Sequence, residues 1–216
     1  MKHQSPKITI LITDDHPIAR AGIRAILAQA KDMEVVGEAK DGFEAQQLVA
    51  KLRPQILLLD LKMPGPRPAE IEKWVRLNYP ETITLVLTAH DRDSYLAAMM
   101  DAGAVGYLSK EESEDRLIGA IRRAVRGEIL FNSTQFARVK RWKEDIGEKL
   151  NQLTAREREI LELLGKGLDN KAIGETLEIS VKTAAYHVTR IMAKLQVQSR
   201  QEAALWASQN LSDNLE

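Results

Sequence analysis

The chain has 216 residues, 44% of them hydrophobic and 29% charged, with a formal net charge of +0 and no cysteine. That length holds one large domain or two small ones with their own cores. Balanced charge excludes a global basic field, so a nucleic-acid partner has to be met by a local patch. The lack of cysteine excludes disulfides, thiolate metal sites and cysteine nucleophiles. The polar lead Met1–Lys7 has no signal-peptide or membrane-spanning pattern, so a cytoplasmic protein is expected.

Strand and helix patterns alternate at first. Ile8–Thr13 reads as a strand, and Pro17 suits the first turn of a helix, with Asp15 or His16 as its cap. Ala19, Ile23, Ile26, Leu27 and Ala30 share one face of that helix. Glu34–Ala39 is the second strand, and Asp41-Gly42 opens a helix to about Leu52. Ile56–Leu59 is the third strand, followed by a proline-rich loop and a helix from about Ala69 to Leu77. Thr82–Leu87 is the fourth strand, and Asp93–Ala102 is a helix ended by Gly103. Val105–Leu108 is the fifth, followed by a helix from Ser113 to about Arg126, stopped by Gly127. Short apolar runs between helices predict a doubly wound, five-stranded parallel sheet.

The character then changes. The sequence divides into an α/β domain over 1–127, a polar linker over 128–150, helical in its second half, and an all-α domain over 151–216. Thr154 and Glu157 form a capping box, Asp169 or Asn170 opens a short helix, Ser180 caps a longer one and Ser199 a last one. The short turn Glu178-Ile179-Ser180 between two helices fits a helix-turn-helix.

Four of the apolar strands run into polar residues: Asp14 and Asp15, Asp60, Thr88, and, after Ser109, Lys110. Open α/β sheets bind ligands at the carboxyl ends of their strands. Phosphoryl transfer needs an in-line nucleophile, a metal and cations that neutralise charge. The Asp60 carboxylate can be the nucleophile, and Asp14 and Asp15 are hard oxygen donors suited to Mg²⁺. Thr88 can bind one phosphoryl oxygen and Lys110 another. Each residue alone has a plainer reading as a turn, cap or solvated residue; the combination is what points to a site.

Thr13-Asp14-Asp15-His16, Leu58-Leu59-Asp60-Leu61-Lys62-Met63-Pro64-Gly65, Leu87-Thr88-Ala89 and Gly106-Tyr107-Leu108-Ser109-Lys110 closely resemble the flavodoxin-like receiver domains of two-component response regulators, over about Lys7–Gly127. The resemblance implies that Asp60 accepts phosphate from a sensor histidine kinase, and that Asp14, Asp15, Asp60 and the Lys62 backbone carbonyl hold Mg²⁺. It also implies a switch in which Thr88 moves toward the phosphate and Tyr107 turns inward. Lys62 and His90 flank the site, where receivers tune phosphate lifetime. One departure is Pro64-Gly65-Pro66-Arg67-Pro68, with three prolines where the family has a small, Gly-containing turn. A stiffer loop and slower or biased switching are expected.

In the helical part, Val181, Ala184, Val188, Ile191 and Leu195 form the expected inner stripe of the candidate recognition helix. Lys182, Tyr186, Thr189 and Ala193 lie opposite, with Thr183, His187, Arg190 and Lys194 along one flank. Ser180–Arg200 contains no acidic residue, the local electrostatic footprint expected of a DNA-facing segment. Leu153-Thr154-Ala155-Arg156-Glu157-Arg158-Glu159, Asn170-Lys171-Ala172-Ile173-Gly174, Ile179-Ser180-Val181-Lys182-Thr183 and His187 are similar to the LuxR-type helix-turn-helix of NarL/FixJ-class regulators. That resemblance covers about Gln152–Ala207 and implies a four-helix domain, phosphate contacts and homodimers on two promoter half-sites. Candidate DNA contacts are Asn170, Lys171, Lys182, Thr183, Tyr186, His187, Thr189 and Arg190.

The family usually reads Thr-Val-Lys-x-His where this chain has Thr183-Ala184-Ala185-Tyr186-His187. A thinner core stripe, one lost phosphate contact and altered specificity are expected. The leading reading is a DNA-binding transcriptional regulator switched by phosphorylation of Asp60. It is not an enzyme, beyond accepting phosphate and slow self-dephosphorylation. The alternative is a receiver-type regulator that acts through protein contacts with weak DNA recognition. A haloacid-dehalogenase-type phosphatase is disfavoured, since its Asp-x-Asp-x-Thr is replaced by Asp14-Asp15-His16-Pro17.

Overall fold

The computed structural model describes residues 6–211. Residues 1–5 of the polar lead and 212–216 of the carboxyl-terminal domain lie outside the described residues. The chain divides into two units, one ending at Phe136 and the other beginning at Ala137.

In the first unit, β1 (Ile8–Thr13), β2 (Met33–Ala39), β3 (Ile56–Leu59), β4 (Ile83–Thr88) and β5 (Gly106–Ser109) form one parallel sheet in the order β2-β1-β3-β4-β5. The connecting helices are α1 (Pro17–Leu27), α2 (Gly42–Leu52), α3 (Pro68–Asn78), α4 (Asp93–Ala102) and α5 (Glu114–Val125). Alternation of side chains along each strand splits the core in two. Ile10, Ile12, Ile56, Leu58, Leu85 and Leu87 pack with Ile23 and Leu27 of α1 and Leu117 and Ile121 of α5. Leu11, Leu57, Leu59 and Val86 take the opposite face of the same strands and are equally buried. Truncating one such leucine to alanine costs about 3 kcal/mol.

Local signals set the ends of these elements. Asp41 caps α2 by accepting from the Glu44 N–H at 2.8 Å. Gly103 ends α4 at φ +107°, where a side chain would be strained. The strand order reverses at β1, which puts the crevice of this topology at the ends of β1 and β3. Asp14 and Asp60 stand there.

The region read as a linker is helical earlier than its composition suggested. α6 (Ser133–Trp142) begins it, followed by one π-helical turn (Lys143–Gly147) and α7 (Glu148–Asn151). Asn132 and Gln135 supply the reason: each side chain bonds the other's backbone N–H, a reciprocal cap at the start of α6.

The second unit continues through α8 (Ala155–Gly165), α9 (Asn170–Leu177), α10 (Val181–Leu195) and α11 (Arg200–Asn210). Leu153, Ile160, Leu161, Leu164, Ile173, Ala184, Val188, Ile191 and Leu195 share its core. α9 and α10 approach closely because residue 174 is glycine; a Cβ there would lie 2.8 Å from the Ile179 carbonyl. Val181 departs from the expected inner stripe and is 52% exposed. It is the first residue of α10, and its Cβ leans toward the helix N-terminus, past the turn and away from the core.

Candidate functional site

The backbone ladder runs one residue beyond the strands and fixes the polar ends. The Asp14 N–H donates to the Ala39 carbonyl at 3.0 Å, Asp60 N–H to Thr13 at 3.0 Å, and Lys110 N–H to Thr88 at 2.9 Å. The side chains converge from there. Lys110 Nζ lies 2.7 Å from Asp14 Oδ2 and 3.0 Å from Asp60 Oδ2. Asp14 is wholly buried and Asp60 is 3% exposed. Burial works against the Lys110 ammonium, but hydrogen bonds to Asp14 and Asp60 outweigh it, and its pKa is raised.

One ammonium does not satisfy this edge. Asp60 Oδ1 is buried with no hydrogen-bond partner. Asp15 Oδ1 makes no hydrogen bond but has His16 Nδ1 at 2.6 Å. Donor atoms of Asp14, Asp15 and His16 lie within 4.8 Å of one another, close enough for a shared cation. Buried carboxylate oxygens without donors are costly, and a bound cation relieves that cost. The carboxylate oxygens of Asp14 and Asp15 suit a hard divalent ion. His16 also donates its N–H to Asp14 Oδ1 at 2.9 Å, and Arg20 Nη1 donates to the Asp14 carbonyl at 2.5 Å. Arg20 is not evident from local pattern; an arginine one turn into a helix carries no signal of this role.

Thr88 is buried, and its hydroxyl accepts from the His90 N–H at 3.1 Å. Tyr107 is buried too, and its hydroxyl donates to the His90 carbonyl at 2.6 Å. The loop after β4 is thus held by both residues. Lys62 is exposed. The proline-rich loop docks on the start of α2. The Gly42 N–H donates to the Pro64 carbonyl at 2.8 Å, Pro66 lies where a Cβ of residue 42 would reach, and Pro68 is the first residue of α3.

The second candidate site lies on α10. Lys182, Thr183, Tyr186, Thr189 and Arg190 are exposed, as is Lys171 on α9, and His187 is half-buried. Asn170 is engaged within the unit, where its Oδ1 accepts from Arg200 Nη1 at 2.8 Å. Arg190 Nη1 donates to the Tyr186 hydroxyl at 3.0 Å, with its guanidinium 5.8 Å from the ring centre. Arg190 Nε also lies 3.6 Å from Glu157 Oε1.

Glu157 does more than close the capping box with Thr154. Its Oε2 accepts from Lys194 Nζ at 2.6 Å. Burial raises the Glu157 carboxyl, but the Lys194 hydrogen bond and the Thr154 N–H and hydroxyl outweigh it and hold the pKa at about 2. α8 and α10 are pinned together by this pair. Lys194 is 37 residues from Glu157, a separation that local pattern does not bridge.

Residues 10–122 match the family described as Response regulator receiver domain, and residues 151–207 match Bacterial regulatory proteins, luxR family. The nitrate/nitrite response regulator protein NarL of Escherichia coli (strain K12) is 34% identical over 213 residues, covering 97% of this chain and 98% of that one. The transcriptional regulatory protein LiaR of Bacillus subtilis (strain 168) is 37% identical over 206 residues, covering 94% and 98%. A solved two-component response regulator RcsB–DNA complex superposes with a TM-score of 0.61 at 27% identity, covering 95% of this chain and 99% of that one.

Proposed function

The chain belongs to the response regulators that join a receiver domain to a LuxR-type DNA-binding domain, and from that premise we propose that Asp60 is its phosphoacceptor. It is a DNA-binding transcriptional regulator, as its two families require. The observation that carries the Asp60 assignment is the buried edge itself. Lys110 holds one oxygen of Asp60 and leaves Oδ1 without a hydrogen-bond partner.

In this reading a carboxylate oxygen of Asp60 attacks the phosphorus of a phosphohistidine on a sensor kinase. The phosphorus–nitrogen bond breaks and its electron pair stays on the imidazole. Asp14, Asp15, Asp60 and the Lys62 carbonyl would hold Mg²⁺, which supplies positive charge against the phosphoryl oxygens. Lys110 pairs with one of those oxygens, and the Thr88 hydroxyl donates a hydrogen bond to another. Tyr107 backs the Thr88–His90 loop through its hydroxyl. The second unit then pairs as a homodimer on two half-sites in the cytoplasm. Lys171, Lys182, Thr183, Thr189 and Arg190 meet phosphates and bases, Tyr186 holds Arg190, and His187 completes the surface.

Incubation with acetyl phosphate and Mg²⁺, read by intact mass, tests the phosphoacceptor. One phosphoryl group on the wild type and none on Asp60→Asn is expected; equal labelling of both contradicts it.

A further inference from the structure

β5 is an edge strand, with β4 on one side. An open edge leaves backbone groups without partners. Here the chain after α5 returns along it. The Leu130 N–H donates to the Val105 carbonyl at 2.8 Å, and Gln135 Nε2 donates to the Tyr107 carbonyl at 2.9 Å. Residues 105 and 107 are two apart, so both carbonyls face the open side of the strand. Gly106 permits the approach: a Cβ there would stand 2.8 Å from Leu130 Cβ.

Gln135 has a second task. Its Oε1 accepts from the Asn132 N–H at 3.0 Å while its own N–H donates to Asn132 Oδ1 at 2.8 Å. This reciprocal pair opens α6, the first helix of the linker region. One end of a single side chain therefore closes the cap, and the other end holds that cap on Tyr107. Covering the edge alone needs no such residue at the helix start.

Resting on the reading of Asp60 as phosphoacceptor, we propose that Gln135 is a positioning residue that couples the phosphorylation site to the linker helix. Thr88, His90, Tyr107 and Gln135 form a hydrogen-bonded series from the end of β4 to the first turn of α6. A phosphoryl group that engages Thr88 and Lys110 shifts the ends of β4 and β5, and the Gln135 amide transmits the shift of β5 to α6.

The test uses the full chain and a labelled duplex that the wild type selects from a random-sequence pool. Affinity is measured with and without acetyl phosphate and Mg²⁺, beside Asp60 phosphorylation by intact mass. Coupling between sites is commonly about 5–150-fold. Gln135→Glu keeps an oxygen for the cap but loses the donor to Tyr107. Its phosphodonor-induced gain is expected to fall below about twofold, with phosphorylation and melting midpoint as in the wild type. Gln135→Lys keeps a donor for Tyr107 and loses the cap acceptor, and is expected to retain more than half of the gain. A wild-type gain in Gln135→Glu, or equal loss in both variants, overturns the coupling and leaves the Asp60 reading standing. A wild type that is not phosphorylated overturns both, and one that is phosphorylated but selects no duplex overturns the coupling and leaves the Asp60 reading standing. Should Gln135→Glu not fold, hydrogen exchange in the first turn of wild-type α6 decides: a change on phosphorylation is expected, and none overturns the coupling.

Discussion

Glu72 in the α/β unit and Glu157 in the helical unit are both buried, at 1% and 2% exposure, yet their carboxyls move in opposite directions. Burial raises Glu72 to about 7 against the weaker lowering influence of the Thr84 hydroxyl and the Arg76 charge. Its Oε2 has no hydrogen-bond partner. Glu157 is held at about 2 because Lys194 and Thr154 meet its oxygens. The contrast extends to the sites. The sheet edge keeps an oxygen of Asp60 unengaged, whereas α10 ties Arg190 and Lys194 back into their own unit. Open buried acceptors suit the uptake of a cation. Closed ion pairs suit a unit that must present a fixed surface.

Breaking the closed pair has the largest expected effect. Glu157→Ala leaves Lys194 without its partner and should cost the helical unit about 3 kcal/mol in urea unfolding. The pH dependence has a definite sign. The folded carboxyl lies below its unfolded value of 4.5, so its stabilisation is full above about 4.5 and is lost as pH falls toward 2. The variant should lack that acid-side loss.

Glu72 gives the opposite slope. Its folded value is raised from 4.5 to about 7, so the protonated group favours the fold at low pH, and stability declines as pH rises from about 4.5 to about 7. Glu72→Gln should flatten that decline and stabilise the α/β unit on the alkaline side by on the order of 2 kcal/mol. An unchanged slope in thermal melts across that range contradicts it.

Smaller effects sharpen the comparison. Tyr186→Phe keeps the ring over Arg190 and removes the hydroxyl that accepts from it. DNA affinity should fall by about 1 kcal/mol with the salt dependence unchanged; equal affinity in a fluorescence titration would show that the Tyr186 hydroxyl contributes nothing to binding. Relaxing the proline loop with Pro66→Met and Pro68→Gly should speed phosphorylation and dephosphorylation about twofold to fivefold. Equal rates by intact mass would show that loop stiffness does not govern switching.

Much of this was legible in the sequence because it is local. The ends of β1 and β3, the Asp41, Thr154, Ser180 and Ser199 caps and the Gly103 stop follow from period, turn residues and capping chemistry. The polar strand ends were readable because a parallel sheet puts all its carboxyl ends on one edge. What escaped depends on distance or position. Glu72 sits beside Ile71 on the inner side of α3, and its charge marks it as solvated by pattern. The Asn132–Gln135 cap lies in a polar stretch whose composition resembles a loop. Asn170 reads as a free amide until Arg200, 30 residues on, reaches it.

Phosphorylation of Asp60 is expected to control DNA binding, and one titration decides whether it does. Wild type and Asp60→Ala are measured against the same selected duplex, with and without acetyl phosphate and Mg²⁺. A phosphodonor-dependent gain of at least about fivefold is expected for the wild type and none for Asp60→Ala. The same affinity with and without phosphodonor in the wild type, or an equal gain in both proteins, would contradict it.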